Sequence, residues 1–136
     1  PLSSSKNEII LSPSDFGIHN SIFNNNMYYF IDFEFAGLDD PAKLICDFML
    51  HPKNNLKKES MRLFTDNLFF YSKSISKRIE LLFPIYIIKW ILIILNFVDN
   101  ENLKKKKKLI ADFNNNDFID KQRKKIPRLT NILKNF

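Results

Sequence analysis

Three oxygen-bearing side chains in the first third of the chain could bind a divalent cation. Asp15 and Asn20 stand five residues apart, and Asp32 follows Asn20 by twelve residues. Mg²⁺ prefers carboxylate, amide and phosphate oxygens. Phosphoryl transfer uses one carboxylate to accept the proton of the attacking hydroxyl, and an Asn and an Asp to hold the metal. The residue types favour phosphoryl transfer, but the spacing alone also fits loop-capping carboxylates and an Asx turn.

The segment that carries Asp15 and Asn20 is predicted to be a loop. Pro13 and Gly17 disfavour a helix here, and on a helix two side chains five positions apart would point about 140° away from each other. The two side chains can therefore converge only if a loop brings them together. Residues 8–11, before this loop, are read as a short strand that Pro13 ends.

A β-hairpin is predicted directly after the loop. Residues 21–23 and 27–33 are aromatic and β-branched, and the asparagines 24–26 separate them. Asp32 would lie at the end of the second strand, where the chain can fold it back beside the loop.

A helix is predicted to follow the hairpin and to end near residues 51–52. Asp40 is an acidic N-cap, and Pro41 suits the first helical position. The apolar residues three and four positions apart predict one buried face: Leu44, Ile45, Phe48 and Met49.

The rest of the chain is predicted to be helical. Helices are expected over three ranges: 56–73, 76–98 and 119–134, the last interrupted by Pro127. The inward stripe of the first consists of Met61, Phe64, Leu68 and Tyr71. A polar segment at 99–118 contains the lysine run 104–108. The predicted fold class is α+β, mostly α, with a short β-hairpin leading into a helical body and residues 1–136 as one domain.

The stretch 81–98 is apolar at 15 of its 18 positions, nearly the length that spans a bilayer. Pro84, Lys89 and Asn96 interrupt it, and a lone ammonium near the centre of a bilayer costs about 3 kcal/mol on insertion scales. A central core helix of a soluble domain is favoured, and a membrane anchor is the alternative.

Charge and composition narrow the function classes. The net charge is +6, but residues 1–50 carry −5 and the remaining 86 residues carry +11. An acidic first third suits a cation site, whereas a basic remainder suits a solvated surface or a surface that meets polyanions. Two glycines exclude the glycine-rich nucleotide loops. One cysteine, Cys46, excludes an internal disulfide framework and, with no leader segment visible, suggests the cytoplasm.

Two short motifs follow one another in the acidic third. Residues 13–20 read P-S-D-F-G-I-H-N, and residues 31–41 read I-D-F-E-F-A-G-L-D-D-P. They resemble the catalytic loop H-G-D-x-x-x-x-N and the metal-binding strand I-D-[FW]-[EG], with its G-D-P ending, of the aminoglycoside phosphotransferase and choline kinase-like family. This family comprises small-molecule relatives of protein kinases. The His-Gly pair of the loop is not matched, and the resemblance is firm only over residues 9–52.

The resemblance implies Asp15 as catalytic base, Asn20 and Asp32 as magnesium ligands, and Asp40 as the residue that caps and anchors the next helix. It implies Mg²⁺ and ATP as cofactor and co-substrate, a hydroxyl of a small polar molecule as acceptor, and the C-terminal lobe of a protein-kinase-like fold.

His19 and Glu34 are further candidates for contact with the substrate. The alternatives are a loop histidine that hydrogen-bonds to backbone and an exposed acid at the end of a strand.

A kinase of this type also needs an N-terminal lobe that covers ATP. The fourteen residues before Asp15 are too few to build one. The chain is therefore expected to be a C-terminal half whose partner is the missing lobe, and to be inactive alone. The alternative is a non-catalytic remnant or interaction module whose basic helical surface binds an anionic partner. Nucleic acid is less favoured as a partner because a lysine run is usually a solvated surface. A membrane is less favoured because the resemblance implies that the apolar helices lie in the core of the C-terminal half.

Overall fold

The computed structural model describes residues 8–54, 56–68 and 72–135. In these residues the fold is α+β and mostly helical, with two small antiparallel sheets. This confirms the fold class at the level of helix and strand content. The chain divides into two compact units, Pro1–Tyr86 and Ile87–Phe136.

The predicted hairpin is present. Strand β2 (Ser21–Asn24) pairs with strand β3 (Met27–Phe30) in an antiparallel register. The turn residues Asn25 and Asn26 have φ angles of 47° and 61°. A tight turn with positive φ at both central residues matches the twist of the flanking strands, and asparagine tolerates that conformation well. The second strand ends at Phe30, three residues earlier than predicted, so Asp32 lies beyond the hairpin.

A second strand pair closes the segment that contains the motifs. Strand β1 (Ile10–Ser12) pairs with strand β4 (Gly37–Asp39), and Ser12 lies opposite Gly37. The strand predicted at 8–11 is thus shifted by one or two residues, and its partner was not predicted. Because β1 and β4 pair, residues 13–36 form a long excursion whose two ends lie side by side at this strand pair.

Helix α1 (Pro41–Leu50) forms where the sequence predicts it. The Asp40 carboxylate accepts a hydrogen bond from Ala42 N at 2.8 Å and so caps the helix. The helix ends at His51, whose N–H donates to Asp47 O. Its predicted inward face is buried, and four of its residues are fully inaccessible: Ala42, Ile45, Cys46 and Leu50.

Helix α2 (Lys58–Asp66) is shorter than the predicted helix over 56–73. Asn67 caps it and donates its side-chain amide to Leu63 O at 2.7 Å, so Leu68 falls beyond its end. Phe64 packs inward on Phe48, with ring centroids 4.2 Å apart. Two predicted stripe residues lie outside what the structure describes: the side chain of Met61, and Tyr71.

Helix α3 (Lys73–Phe97) contains almost all of the apolar stretch. Only 17% of its most apolar 18-residue window is buried. One face is buried: Ile75, Phe83, Ile87 and Ile94. Other apolar residues are 45–60% exposed: Leu81, Ile85, Ile88, Leu92 and Leu95. These exposed residues form a second face of the helix. The prediction that α3 is a central core helix is therefore wrong for this face. The helix is long and apolar enough to cross a membrane by length and composition.

The polar segment predicted at 99–118 includes a complete helix, α4 (Asn100–Leu109). Asp99 caps it by accepting a hydrogen bond from Glu101 N at 3.0 Å. The lysines of its last turn lie at the negative end of the helix dipole, which favours cations.

The last predicted helix is two helices, α5 (Asn115–Arg123) and α6 (Ile126–Lys134). Proline is tolerated in the first turn of a helix and disrupts an interior turn. The chain therefore breaks at residues 124–125, which places Pro127 in the first turn of α6.

Candidate active site

A tight turn presents Asp15. Its N–H donates to Pro13 O at 2.9 Å, and Ser14 between them has a φ of 68°. A left-handed conformation costs a non-glycine residue roughly 1–2 kcal/mol. The N–H of Ser14 donates to Ser12 Oγ at 3.1 Å. The turn thus holds a strained residue directly before the candidate base.

Asp15 and Asn20 converge, as the loop prediction requires. Asn20 Nδ2 donates to the backbone oxygen of Asp15 at 2.9 Å and to its carboxylate Oδ2 at 3.2 Å. A short 3₁₀ helix, Ile18–Asn20, places the asparagine. Because Nδ2 makes both hydrogen bonds, Asn20 Oδ1, the amide atom that could bind a cation, is not used in them.

A backbone hydrogen bond holds the residue before Asp32, and not Asp32 itself, beside the loop. Ile31 N donates to Asn20 O at 2.9 Å, which fixes the residue before Asp32 beside the loop. Asp32 itself has a φ of 67° and is exposed. Among the described residues, its carboxylate makes no hydrogen bond or ion pair. Glu34 lies exposed in the next turn.

The two histidines of the chain lie face to face beside Asp15. The ring centroids of His19 and His51 are 4.1 Å apart, and their planes differ by 6°. His19 Nε2 lies 3.3 Å from both carboxylate oxygens of Asp15. The prediction that His19 hydrogen-bonds to backbone is wrong, because a carboxylate is its partner. No local sequence pattern marks the contact between His19 and His51, because the two residues lie 32 positions apart.

The histidines and Asn20 lower the pKa of Asp15. Burial of the carboxyl group would raise its pKa. The hydrogen bond from His19, the charges of both histidines and the hydrogen bond from Asn20 outweigh burial and hold the pKa of Asp15 below its ordinary value. At neutral pH the group is therefore a carboxylate that can accept a hydrogen bond from a hydroxyl.

Asn54 fastens the loop to the end of α1. Its side chain donates to Phe48 O at 2.8 Å and accepts from Ile18 N at 3.0 Å. A Cβ on Gly17 would lie 2.5 Å from His19 Nδ1 and 2.9 Å from Asn54 Oδ1. Only glycine therefore fits position 17 without a shift of these side chains.

Phenylalanine rings pack the same loop onto α1. Phe16, next to the candidate base, lies between Phe30 of β3 and Phe48 of α1, with ring centroids 4.7 and 5.2 Å apart. Such pairs contribute roughly 0.5–1.5 kcal/mol each beyond burial of their area. The loop is therefore held by both hydrogen bonds and apolar contacts.

Asp40 has a second partner besides the N-terminus of α1. The buried Arg78 of α3 places Nε 3.0 Å from Asp40 Oδ2 and its terminal nitrogen 2.7 Å from Glu8 Oε2. This ion-pair cluster holds the start of α1 against α3. The cap and the anchoring role of Asp40 are predicted from the sequence, whereas its partner Arg78 is not.

Asn20 and Asp32 carry the kinds of oxygen that Mg²⁺ prefers, but among the described residues the acid that lies with other ligand groups in this region is Asp15, not Asp32. Asp15, His19 and His51 offer a mixed set, with one ligand atom from each lying within 4.8 Å of the others.

No protein-family model, no curated protein and no solved structure matches the chain.

Proposed function

We propose that the chain is the C-terminal catalytic half of a phosphotransferase similar to aminoglycoside phosphotransferases and choline kinases. Such an enzyme moves the γ-phosphoryl group of ATP to a hydroxyl of a small polar molecule. The observation that carries this proposal is the pair of hydrogen bonds from Asn20 Nδ2 to Asp15. It joins the two polar residues of the D-x-x-x-x-N motif and leaves the carboxylate more than half exposed, at 53%.

Each side chain has a distinct role in this proposal. Asp15, ionised and accessible, orients the acceptor hydroxyl and takes up its proton. His19 holds the carboxylate in position. Asn20 Oδ1 and Asp32 would hold Mg²⁺, which when bound neutralises charge on the transferring phosphoryl group. A separate N-terminal lobe would cover ATP. The enzyme would work in the cytoplasm, which supplies the ATP.

Magnesium binding can be tested on this chain. Mg²⁺ titrated into ¹⁵N-labelled protein should shift the side-chain amide of Asn20 and the backbone amide of Asp32 with one shared saturation curve. The Asp32→Asn variant should lose the response, whereas Asp112→Asn, a change of an exposed acid in a turn, should keep it. A response at Asn20 that survives Asp32→Asn would contradict the proposed ligand pair.

Transfer itself requires the chain joined to its ATP-binding lobe. There, Asp15→Ala should lower kcat by about 10²–10⁴-fold and leave nucleotide binding largely intact, because a base acts in the chemical step. Asp32→Ala should weaken binding of the metal–nucleotide complex as well. The chain alone should turn over little ATP. An Asp15→Ala enzyme that keeps most of its kcat would refute the assignment of the base.

A second candidate is an interaction module with a basic helical surface. On α4, four lysines of the run are exposed: Lys104, Lys105, Lys107 and Lys108. Lys106 instead lies over the ring of Phe118, 5.1 Å from its centroid. Binding of duplex DNA through these lysines should weaken with salt, with a log–log slope of about −0.9 per phosphate contact. No binding at low salt would eliminate this candidate.

A further inference from the structure

We propose that Asp15, His19 and His51 form a site for a divalent transition-metal ion such as Zn²⁺, distinct from the magnesium ligands Asn20 and Asp32. One carboxylate and two imidazoles are ligands typical of zinc sites that keep a position open for water or another ligand. Mg²⁺ favours oxygen ligands instead. The two imidazoles therefore select a different ion from the one that phosphoryl transfer uses.

Part of the required geometry is already present. Bonds of 2.0–2.1 Å in a tetrahedral site place ligand atoms about 3.3 Å apart. His19 Nε2 lies 3.3 Å from each oxygen of Asp15. All three groups offer ligand atoms within 4.8 Å, so the nitrogen of His51 needs to approach by at most about 1.5 Å to reach that spacing.

Binding must also turn one ring out of the stack, because parallel rings do not aim their nitrogen lone pairs at a common point. His51 is the ring that can turn. His19 is confined by Gly17, where an added Cβ would lie 2.5 Å from its Nδ1. His51 Nδ1 accepts a hydrogen bond from Lys53 N at 3.2 Å, which a turn of the ring would lengthen or break. We expect the apo and metal-bound forms to differ mainly in the orientation of this ring.

An independent observation concerns the other nitrogen of His19. The side chain is only 9% exposed, and Nδ1 is buried without a hydrogen-bond partner among the described residues. A buried polar atom left unsatisfied is costly and is rare in folded proteins. The observation indicates that a polar ring is retained at this position for the contact of its Nε2 with Asp15.

The site does not depend on the proposed phosphotransferase activity. In such an enzyme, however, a transition-metal ion on Asp15 would occupy the carboxylate that accepts the proton. Zn²⁺ would then inhibit transfer without displacing Mg²⁺ from Asn20 and Asp32.

The wild-type protein provides the first test, because His19 and His51 are its only histidines. Zn²⁺ is titrated into ¹⁵N-labelled protein in the presence of excess Mg²⁺. The resonances of both imidazoles should shift together, and the shifts should saturate at one equivalent of Zn²⁺. A spectrum in which only one ring moves, or neither, would overturn the proposal.

Variants then identify the ligands by calorimetric titration with Zn²⁺. His51→Gln and Asp15→Asn should each raise Kd more than about tenfold, since even the loss of a supporting group can cost that much. Asp32→Asn and Asp112→Asn, which alter acids outside the trio, should leave Kd unchanged. A loss of Zn²⁺ affinity in Asp32→Asn would overturn the claim of a separate site. If circular dichroism shows that His51→Gln is unfolded, the imidazole resonances of the wild-type protein decide whether both histidines bind Zn²⁺.

The two proposals fail in distinguishable ways. Zn²⁺ binding without a Mg²⁺ response at Asn20 and Asp32 supports the trio and contradicts the phosphotransferase site. A Mg²⁺ response without any imidazole response to Zn²⁺ overturns the trio alone.

Discussion

Replacing Asn54 by alanine tests whether this one side chain holds the loop of residues 13–20 on α1. The change removes the donor to Phe48 O and the acceptor of Ile18 N. A typical hydrogen bond contributes about 1 kcal/mol net, and a buried group left without a partner costs about 1–3 kcal/mol. The hydrogen bond to Phe48 O is buried, whereas the hydrogen bond from Ile18 N is part-buried. We therefore expect a loss of about 2–4 kcal/mol in the free energy of unfolding, a large share of the 5–15 kcal/mol typical of a domain.

The assay is urea unfolding followed by circular dichroism, combined with hydrogen exchange at the amide of Ile18. That amide should exchange faster in Asn54→Ala, because its acceptor is gone. Asn67→Ala is the matched control: Asn67 also donates to a backbone oxygen, that of Leu63 at 2.7 Å, but at an exposed position. Its removal should cost less than about 0.5 kcal/mol.

The same variant should change the environment of His19, which follows Ile18 in the loop. Its imidazole resonances should shift in Asn54→Ala and stay in place in Asn67→Ala. The reasoning is refuted if Asn54→Ala unfolds within 0.5 kcal/mol of the wild type while the Ile18 amide keeps its exchange rate.

Three further predictions follow from the same contacts. Gly17→Ala should lower the urea midpoint and shift the nearby histidine ring, whereas Gly37→Ala, with nothing within 4 Å of the added Cβ, should not; equal effects would contradict this. Arg78→Met should cost about 3 kcal/mol in urea unfolding, because it leaves two carboxylates without their buried partner. Arg62→Met, in an exposed pair, should cost under about 1 kcal/mol, and similar losses would refute the argument. Since the pKa of Asp15 is lowered, its contribution to stability is present above the ordinary pKa of 3.8 and lost as the pH falls through the folded value. Asp15→Asn should therefore flatten the dependence of the urea midpoint on pH below about pH 4, and parallel curves for variant and wild type would contradict this.

Local sequence determined the elements whose stabilising contacts are themselves local. The hairpin follows from the turn residues Asn25 and Asn26, which accept positive φ. Helix α1 follows from the Asp40 cap and the proline after it. The convergence of Asp15 and Asn20 follows from a loop too short and too broken to be a helix. In each case, the residues that interact lie within a few positions of one another, so their pattern is visible in the sequence.

The errors at helix ends also have local causes that the pattern did not resolve. Apolar periodicity extended α2 to residue 73, whereas Asn67 caps it at Asp66. The lysine run 104–108 looked like a solvated segment, but the Asp99 cap and the helix dipole favour a helix there.

Only the tertiary structure decided which distant residues meet around the loop of Asp15 and at the start of α1. His51 stacks on His19, Asn54 bonds to Ile18, and Arg78 joins the start of α1 to α3. These contacts join positions 32 to 38 residues apart, and nothing in the local pattern requires any of them. They arise because β1 and β4 close the motif segment and the phenylalanine rings press it onto α1. Packing of the whole unit, and not the order of residues in the motif, therefore sets the electrostatic environment of the candidate base.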